Sequence, residues 1–211
     1  MKRKKTRPRG PGRRAASGDE SRRRLIAAAR AEFAQQGYRG TTIRTIAERA
    51  DVTAAMVHYH FGSKHGLYLA VIRDTLEPVI ATLQAGVQGE AQLADVIRSY
   101  MQLLQRTPEL PLLIMRDVLA DDGAMRESFI RDFAANAGRQ IRALLEREAA
   151  SGELREDIEP RFAAVSLLGM AVFPFLARPI AERVLNIDYD NDSLAALIDH
   201  TLRLFNEGAR P

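Results

Sequence analysis

Apolar residues recur every three or four positions along most of the chain, which is the spacing of one face of an α-helix. In the first such segment Leu25, Ala29 and Phe33 fall four apart. The pattern predicts an amphipathic helix over about 19–36, and Gly37 directly after it supplies a helix stop.

Two short helices and one long helix are predicted next. Thr41 or Thr42 caps a helix of about eight residues, 51–53 interrupts the apolar pattern, and 54–60 forms a third short helix. A long helix then runs from a cap at Ser63 towards residue 85, with a kink predicted at Pro78.

The rest of the chain continues with helical periodicity, and no stretch alternates with period two for long enough to form a strand. Further helices are predicted at about 91–106, 109–120, 124–150, 160–177 and 193–206. The predicted fold class is therefore all-α, with three short N-terminal helices in a helix-turn-helix arrangement followed by a larger helical domain.

Charge is distributed unevenly along the chain. Residues 1–24 contain eleven basic and two acidic side chains, whereas the whole chain carries a formal net charge of only +4. Because residues 1–18 also contain several Gly and Pro, we expect a disordered basic arm that meets a polyanion such as nucleic acid. The alternative is a solubilising tail.

The composition argues against several classes of protein. Cysteine is absent, and no run of 18 apolar residues is present, so the sequence predicts neither a disulfide framework nor a membrane span. No Gly-rich phosphate loop or nucleophile motif points to an enzyme. These features fit a reducing cytoplasm.

A metal site at the clustered histidines is not predicted. His58 and His60 diverge by about 200° around a helix, and no acidic residue completes a ligand set with them and His65. We predict neither a metal nor a cofactor.

The third short helix has the properties needed to enter a DNA major groove, which is wide enough for one helix. Val52, Val57 and Phe61 suit its inner face. Small or hydrogen-bonding residues suit its outer face: Thr53, Ala54, Ala55, Met56, His58 and Tyr59.

The run from Thr41 to Thr53, TTIRTIAERADVT, and its continuation from His58 to Lys64, HYHFGSK, resemble the DNA-binding signature of the TetR family of bacterial repressors. The resemblance covers about residues 22–70. It departs from the common pattern at His58, where many members have tyrosine, and at Asp51, where many have glycine.

The resemblance implies which residues contact DNA. The start of the second helix would hold a phosphate, the start of the third would read base edges, and the later positions would contact the backbone. The implied DNA-binding residues are Thr42, Arg44, Thr53, Ala54, Ala55, Met56, His58, Tyr59, His60 and Lys64.

The resemblance also implies that the C-terminal domain pairs with a second copy and encloses a small hydrophobic effector. The segments 160–177 and 193–206 match the helices that form the dimer bundle in the family, and filling the core of one chain is the alternative. The 160–177 segment is apolar nearly all round, so we expect it to be buried on every side.

Candidate residues for the effector pocket are large apolar side chains of this domain, which more often fill a core than line a cavity. They are Met101, Leu104, Met115, Leu119, Phe129, Phe133, Met170 and Phe173. A wider set adds Tyr100, Phe175 and the polar residues Gln105, Arg116, Asn136 and His200.

The expected organisation is a basic arm at 1–18, a helix-turn-helix DNA-binding domain at 19–65, and an effector-binding and dimerisation domain at 66–211. The expected function is that of a homodimeric repressor, released from a palindromic operator in double-stranded DNA by its effector. An activator or effector-independent DNA-binding protein with the same head, and a helical module that binds protein, are the alternatives.

Overall fold

The computed structural model describes residues 11–120 and 123–210. All regular secondary structure in these ranges is helical and no strand occurs in them, which confirms the predicted all-α fold. Residues 1–10 of the predicted arm lie outside the described residues. The chain divides into two compact units, Met1–Val71 and Ile72–Pro211.

The N-terminal unit contains three helices and the beginning of a fourth: α1 (Pro11–Gly40), α2 (Ile43–Arg49), α3 (Ala54–Phe61) and the first turns of α4 (Lys64–Gln88). The C-terminal unit continues α4 and adds α5 (Leu93–Arg106), α6 (Leu110–Leu113), α7 (Ala124–Phe129), α8 (Ala135–Ala150), α9 (Pro160–Leu176), α10 (Arg178–Val184) and α11 (Asn191–Ala209). Short π-helical segments, Ile114–Leu119 and Ile130–Ala134, extend α6 and α7.

The first helix starts earlier than the sequence predicts. The backbone of residues 11–18, assigned above to a disordered arm, already belongs to α1. Pro11 suits a first helical position because its ring presets φ and its missing N–H would have no intrahelical partner there. The predicted stop is confirmed, since Gly37 leaves the helical conformation at φ 72°.

The core of the N-terminal unit contains the predicted stripe of α1 and also the first turns of α4. Leu25, Ala29 and Phe33 are fully buried. The ring of Tyr68 in α4 lies 5.0 Å from that of Phe33, in an edge-to-face arrangement. This packing places the limit of the unit after Val71, six residues beyond the predicted limit at residue 65.

One side of α9 is buried in the C-terminal unit and the other is exposed. Ala163, Leu167, Ala171 and Phe175 are four residues apart and buried. The prediction that 160–177 is buried on every side is therefore wrong within one chain, because its opposite side faces outwards and exposes large apolar residues.

Two details of the C-terminal unit differ from the predicted helices. The segment Arg178–Val184 is helical although no helix was predicted there. The predicted helices 109–120 and 124–150 contain π-helical turns, which apolar periodicity does not distinguish from α-helical ones. As predicted, α4 is one long helix that contains Pro78, and the kink at Pro78 stays a prediction.

No single helix in the described ranges is long and apolar enough to cross a membrane. The helices α9 and α10 together meet the length and composition, but a bend of 69° separates them.

Candidate functional site

The start of α2 is fixed by two reciprocal hydrogen bonds. The hydroxyl of Thr42 accepts from the Thr45 backbone N–H at 3.1 Å, and the hydroxyl of Thr45 accepts from the Thr42 N–H at 3.3 Å. These bonds satisfy two backbone groups that a helix start leaves without intrahelical partners. Thr42 is exposed, as a phosphate contact requires, although its hydroxyl already serves the cap.

Arg44 projects from α2 into solvent. Its Nε donates to Glu48 at 2.8 Å, one turn along the same helix. The hydrogen bond from Arg44 to Glu48, together with the attraction of that carboxylate, raises the pKa of Arg44 above its usual value. Because such an exposed pair contributes little to stability, the guanidinium is available for exchange to a phosphate or base edge.

The turn between α2 and α3 contains a residue in the left-handed region. Asp51 has φ 51°, and Val52 donates its N–H back to the carbonyl of Ala47 at 3.0 Å. Arg24 of α1 donates to the Asp51 carboxylate at 2.9 Å. The carboxylate is therefore tied to α1, and this contact explains how an acidic side chain is accommodated in the turn.

The outer face of α3 is a continuous exposed surface. Val57 is completely buried against the unit, whereas Tyr59 is 78% exposed. Four other predicted contact residues are also exposed, namely Thr53, Ala54, Ala55 and His58. Met56 is half-buried. The helix thus has the inner and outer faces that groove insertion requires.

The two histidines of α3 differ in their surroundings. His58 is exposed, and its Nδ1 lies 3.0 Å from the carbonyl of Gly62, to which it can only donate. His60 is half-buried, and its Nε2 is buried with no hydrogen-bond partner in the described part of the chain. The Nε2 atom of His60 is therefore turned away from solvent and is not exposed for the predicted contact with the DNA backbone.

Lys64, the first residue of α4, contacts the end of α1 and the residue that follows it. Its Nζ donates to the carbonyls of Tyr38 at 2.8 Å and Thr41 at 2.9 Å, and it lies 4.4 Å from the centre of the Tyr38 ring. The predicted phosphate contact thus has two of its three ammonium protons bound within the protein. Lys64 holds the loop between α1 and α2 in place.

A cavity of about 530 Å³ lies inside the C-terminal unit, between α4, α5, α8, α9 and the second π-helical segment. Its wall is mostly apolar. Two of the eight predicted pocket residues, Phe129 and Phe133, line it, as do Tyr100 and Asn136 from the wider set.

The other six predicted pocket residues do not line this cavity. Met101 and Leu104 are fully buried, Met170 is half-buried, and Met115, Leu119 and Phe173 are exposed on the unit's surface. The lining residues missed include those of α4, where Leu76, Val79, Ile80 and Leu83 form one wall. Their spacing of three and four marks one helix face, which the sequence alone does not distinguish from a core face.

Among the polar residues of the wider set, Gln105 and Arg116 have other partners. The amide of Gln105 donates to the carbonyl of Tyr189 at 3.4 Å. Arg116 forms an ion pair with Asp117 at 2.9 Å. No group of three or more His, Asp or Glu side chains in the described ranges is arranged to hold a metal ion.

A short capped helix, a tight turn and a second helix with an exposed face define a DNA-binding helix-turn-helix protein. Residues 25–71 match the sequence profile of bacterial regulatory proteins of the tetR family, and residues 90–203 match the profile of the tetracyclin repressor-like C-terminal domain. The chain belongs to the TetR family and is a transcriptional regulator.

Two named relatives and one solved structure illustrate the similarity. The chain is 29% identical to the HTH-type transcriptional regulator TcmR of Streptomyces glaucescens, over 97% of this chain and 93% of TcmR. It is 29% identical to the HTH-type transcriptional repressor AcnR of Corynebacterium glutamicum, over 68% and 75%. The structure of FadR from Bacillus subtilis in complex with stearoyl-CoA superposes with a TM-score of 0.70 at 18% identity, over 88% of this chain and 98% of FadR.

Proposed function

We propose that this protein is a homodimeric repressor, which binds a palindromic operator with one α3 from each subunit and leaves it when a small apolar molecule fills the C-terminal cavity. The single observation that carries the proposal is the exposed outer face of α3, on a helix whose opposite side is anchored by the fully buried Val57. Like AcnR, which is named a repressor, the protein would act by occupying its operator in the cytoplasm.

Dimerisation is supported by the outer side of α9. Phe162, Val165 and Phe173 share this side and are between 67% and 72% exposed. α11 packs beside α9 and exposes Leu204. Exposed apolar side chains that lie together on a surface mark an interaction site, and a two-fold interface along these helices pairs each face with its own copy.

Release by an effector is supported by the course of α4. Lys64, at its first turn, binds the carbonyls of Tyr38 near the end of α1 and of Thr41 in the α1–α2 loop. Four apolar residues of the later turns of α4 line the cavity. An effector that favours a different position of this helix would alter the spacing of the two α3 helices. Such an effector must bind the DNA-incompetent arrangement more tightly.

The dimer is tested with Phe162→Glu, compared with Leu119→Glu as a matched control. Like Phe162, Leu119 is a large apolar residue exposed on the surface, but it lies in the first π-helical segment and not on the exposed side of α9. We expect Phe162→Glu to sediment as a monomer with unchanged helical content and to lose affinity for a palindromic duplex on the order of 100-fold. The Leu119→Glu variant should remain a dimer with native affinity.

Two results would contradict the proposal. One is a wild-type protein that sediments as a monomer at micromolar concentration. The other is a Phe162→Glu variant that remains dimeric and binds the palindrome as tightly as the wild type.

A further inference from the structure

The cavity of the C-terminal unit contains a hydroxyl group with no hydrogen-bond partner in the described part of the chain. It belongs to Tyr100 of α5, which is partly buried and lines the cavity. Tyr189, by contrast, donates its hydroxyl proton to the carbonyl of Pro174 at 2.6 Å. Because the Tyr100 hydroxyl has no partner there, it is available to donate to an acceptor atom of a molecule in the cavity.

The wall around this hydroxyl leaves few other polar contacts. α4, α5 and α9 contribute Ile80, Ile97 and Leu167, and the second π-helical segment contributes Phe133. The uncharged polar groups of the lining, apart from Tyr100, are the amides of Gln84, Asn136 and Gln140. A ligand that fills the cavity must therefore be mainly apolar.

The charged groups of the lining do not favour an anion. Arg73 is the positive side chain of the lining, and its guanidinium lies 5.6 Å from the centre of the Phe133 ring. Glu77 and Asp132 share the lining with it, and Asp132 is paired with Arg131 at 2.9 Å. The lining therefore has no net positive charge with which to compensate a carboxylate or a phosphate.

We propose that the ligand of this cavity is an uncharged, mainly apolar molecule carrying a hydrogen-bond acceptor, such as a ketone or ester oxygen, and that the Tyr100 hydroxyl donates to this acceptor. The identification of this ligand with the effector rests on the proposed function. Tyr100 is thereby a specificity-determining residue, since a site built around one hydrogen bond rejects analogues that lack the matching atom.

The protonation state of Tyr100 suits a donor. Burial raises its pKa to about 12. The phenol therefore keeps its proton throughout the physiological range of pH, and ligand binding through it should not vary between pH 6 and pH 9.

The experiment uses a neutral fluorescent ketone, 6-propionyl-2-(dimethylamino)naphthalene, whose emission shifts to the red when its carbonyl accepts a hydrogen bond. It is titrated into the full chain, into Tyr100→Phe and into the control variant Tyr189→Phe. The first variant removes a hydroxyl from the cavity, and the second removes one that is bound elsewhere. Thermal unfolding of each variant checks that it is folded.

We expect Tyr100→Phe to bind the ketone about tenfold more weakly than the wild type, which is the usual effect of one hydrogen bond, with emission shifted to the blue. Tyr189→Phe should bind like the wild type. The propyl analogue without the carbonyl should bind the wild type and Tyr100→Phe equally, and the anionic 1-anilinonaphthalene-8-sulfonate should bind more weakly than the ketone.

Equal ketone affinity of the wild type and Tyr100→Phe would overturn the proposal, and so would tighter binding of the anion. A parallel titration with a labelled operator duplex separates this proposal from the proposed function. Ketone binding that depends on Tyr100 but leaves the duplex bound would support the cavity chemistry and contradict only its use for operator release.

Discussion

The guanidinium of Arg24 in α1 binds Asp51 twice, at the carboxylate (2.9 Å) and at the backbone carbonyl (3.3 Å). Asp51 lies in the turn before α3 and adopts φ 51°. The same residue therefore forms the left-handed turn and attaches it to α1. The orientation of the exposed face of α3 depends on this turn.

The turn predicts different effects for two substitutions of Asp51. Alanine loses the exposed ion pair and, like aspartate, keeps a Cβ in the left-handed region, so we expect Asp51→Ala to lower the free energy of unfolding by about 0.5–1 kcal/mol. Asp51→Gly loses the same pair but relieves the backbone, and its stability should stay near that of the wild type. Urea unfolding measures both, and equal losses would show that the backbone conformation is unimportant.

Lys64 is expected to act on stability as well as on DNA. Lys64→Met removes two charge-assisted hydrogen bonds to the carbonyls of Tyr38 and Thr41 and should lower the free energy of unfolding by about 2 kcal/mol. The control is Arg44→Met, which changes an exposed cation on α2 and should leave stability unchanged while weakening DNA binding. A Lys64→Met variant that is as stable as the wild type and loses only DNA affinity would contradict the stabilising role assigned to the two Lys64 hydrogen bonds.

The exposed residues of α3 should divide into two groups by their effect on DNA. Tyr59→Phe removes an exposed hydroxyl that we propose to contact the DNA backbone, so we expect weaker binding to all duplexes alike. Ala55→Ser at the start of α3 should instead change which base pair is preferred. Competition binding to an operator and its single-base variants distinguishes the two, and a change of base preference in Tyr59→Phe would reverse the assignment.

Glu148 of α8 makes stability depend on pH. Burial raises the pKa of Glu148, although Arg210 at 3.5 Å opposes that shift. With the folded pKa above the unfolded one, the unfolded chain ionises first as pH rises, so this carboxyl destabilises the fold increasingly above its ordinary pKa.

We therefore expect Glu148→Gln to be more stable than the wild type at pH 7, with a difference that disappears by about pH 4. Urea unfolding across this range is the measurement. Glu146→Gln, at an exposed neighbouring position paired with Arg142, serves as the control for removing a carboxylate from the surface of α8. A difference that is constant with pH would contradict the assignment to Glu148.

Much of the N-terminal unit could be predicted because local signals determine it. Gly37 ends the main part of α1, Thr42 caps α2, and the faces of α3 follow from residues three and four apart. The burial of the His60 Nε2 atom and the attachment of Lys64 to the end of α1 and the loop after it could not be predicted. Both depend on where the neighbouring helices pass, which no local pattern records.

The cavity was harder to predict for a related reason. In α9 apolar residues occur on all sides, so periodicity does not distinguish Leu167, which lines the cavity, from Phe173, which is exposed. The sequence predicts α4 as a long helix, but an apolar helix face that lines a cavity has the same pattern as one that fills a core. The sequence places the hydroxyl of Tyr100 on a helix with many apolar residues, but it does not show that this hydroxyl lacks a partner.

The most direct test of the account is selection of binding sites from random duplexes with the purified protein, followed by a measurement of the number of chains bound per selected duplex. We predict an inverted repeat whose half-sites lie about one helical turn apart, or a multiple of it, with two chains per duplex as the smallest complex. No enrichment over random sequence, or a single asymmetric site bound by one chain, would contradict the central claim that paired α3 helices read the DNA.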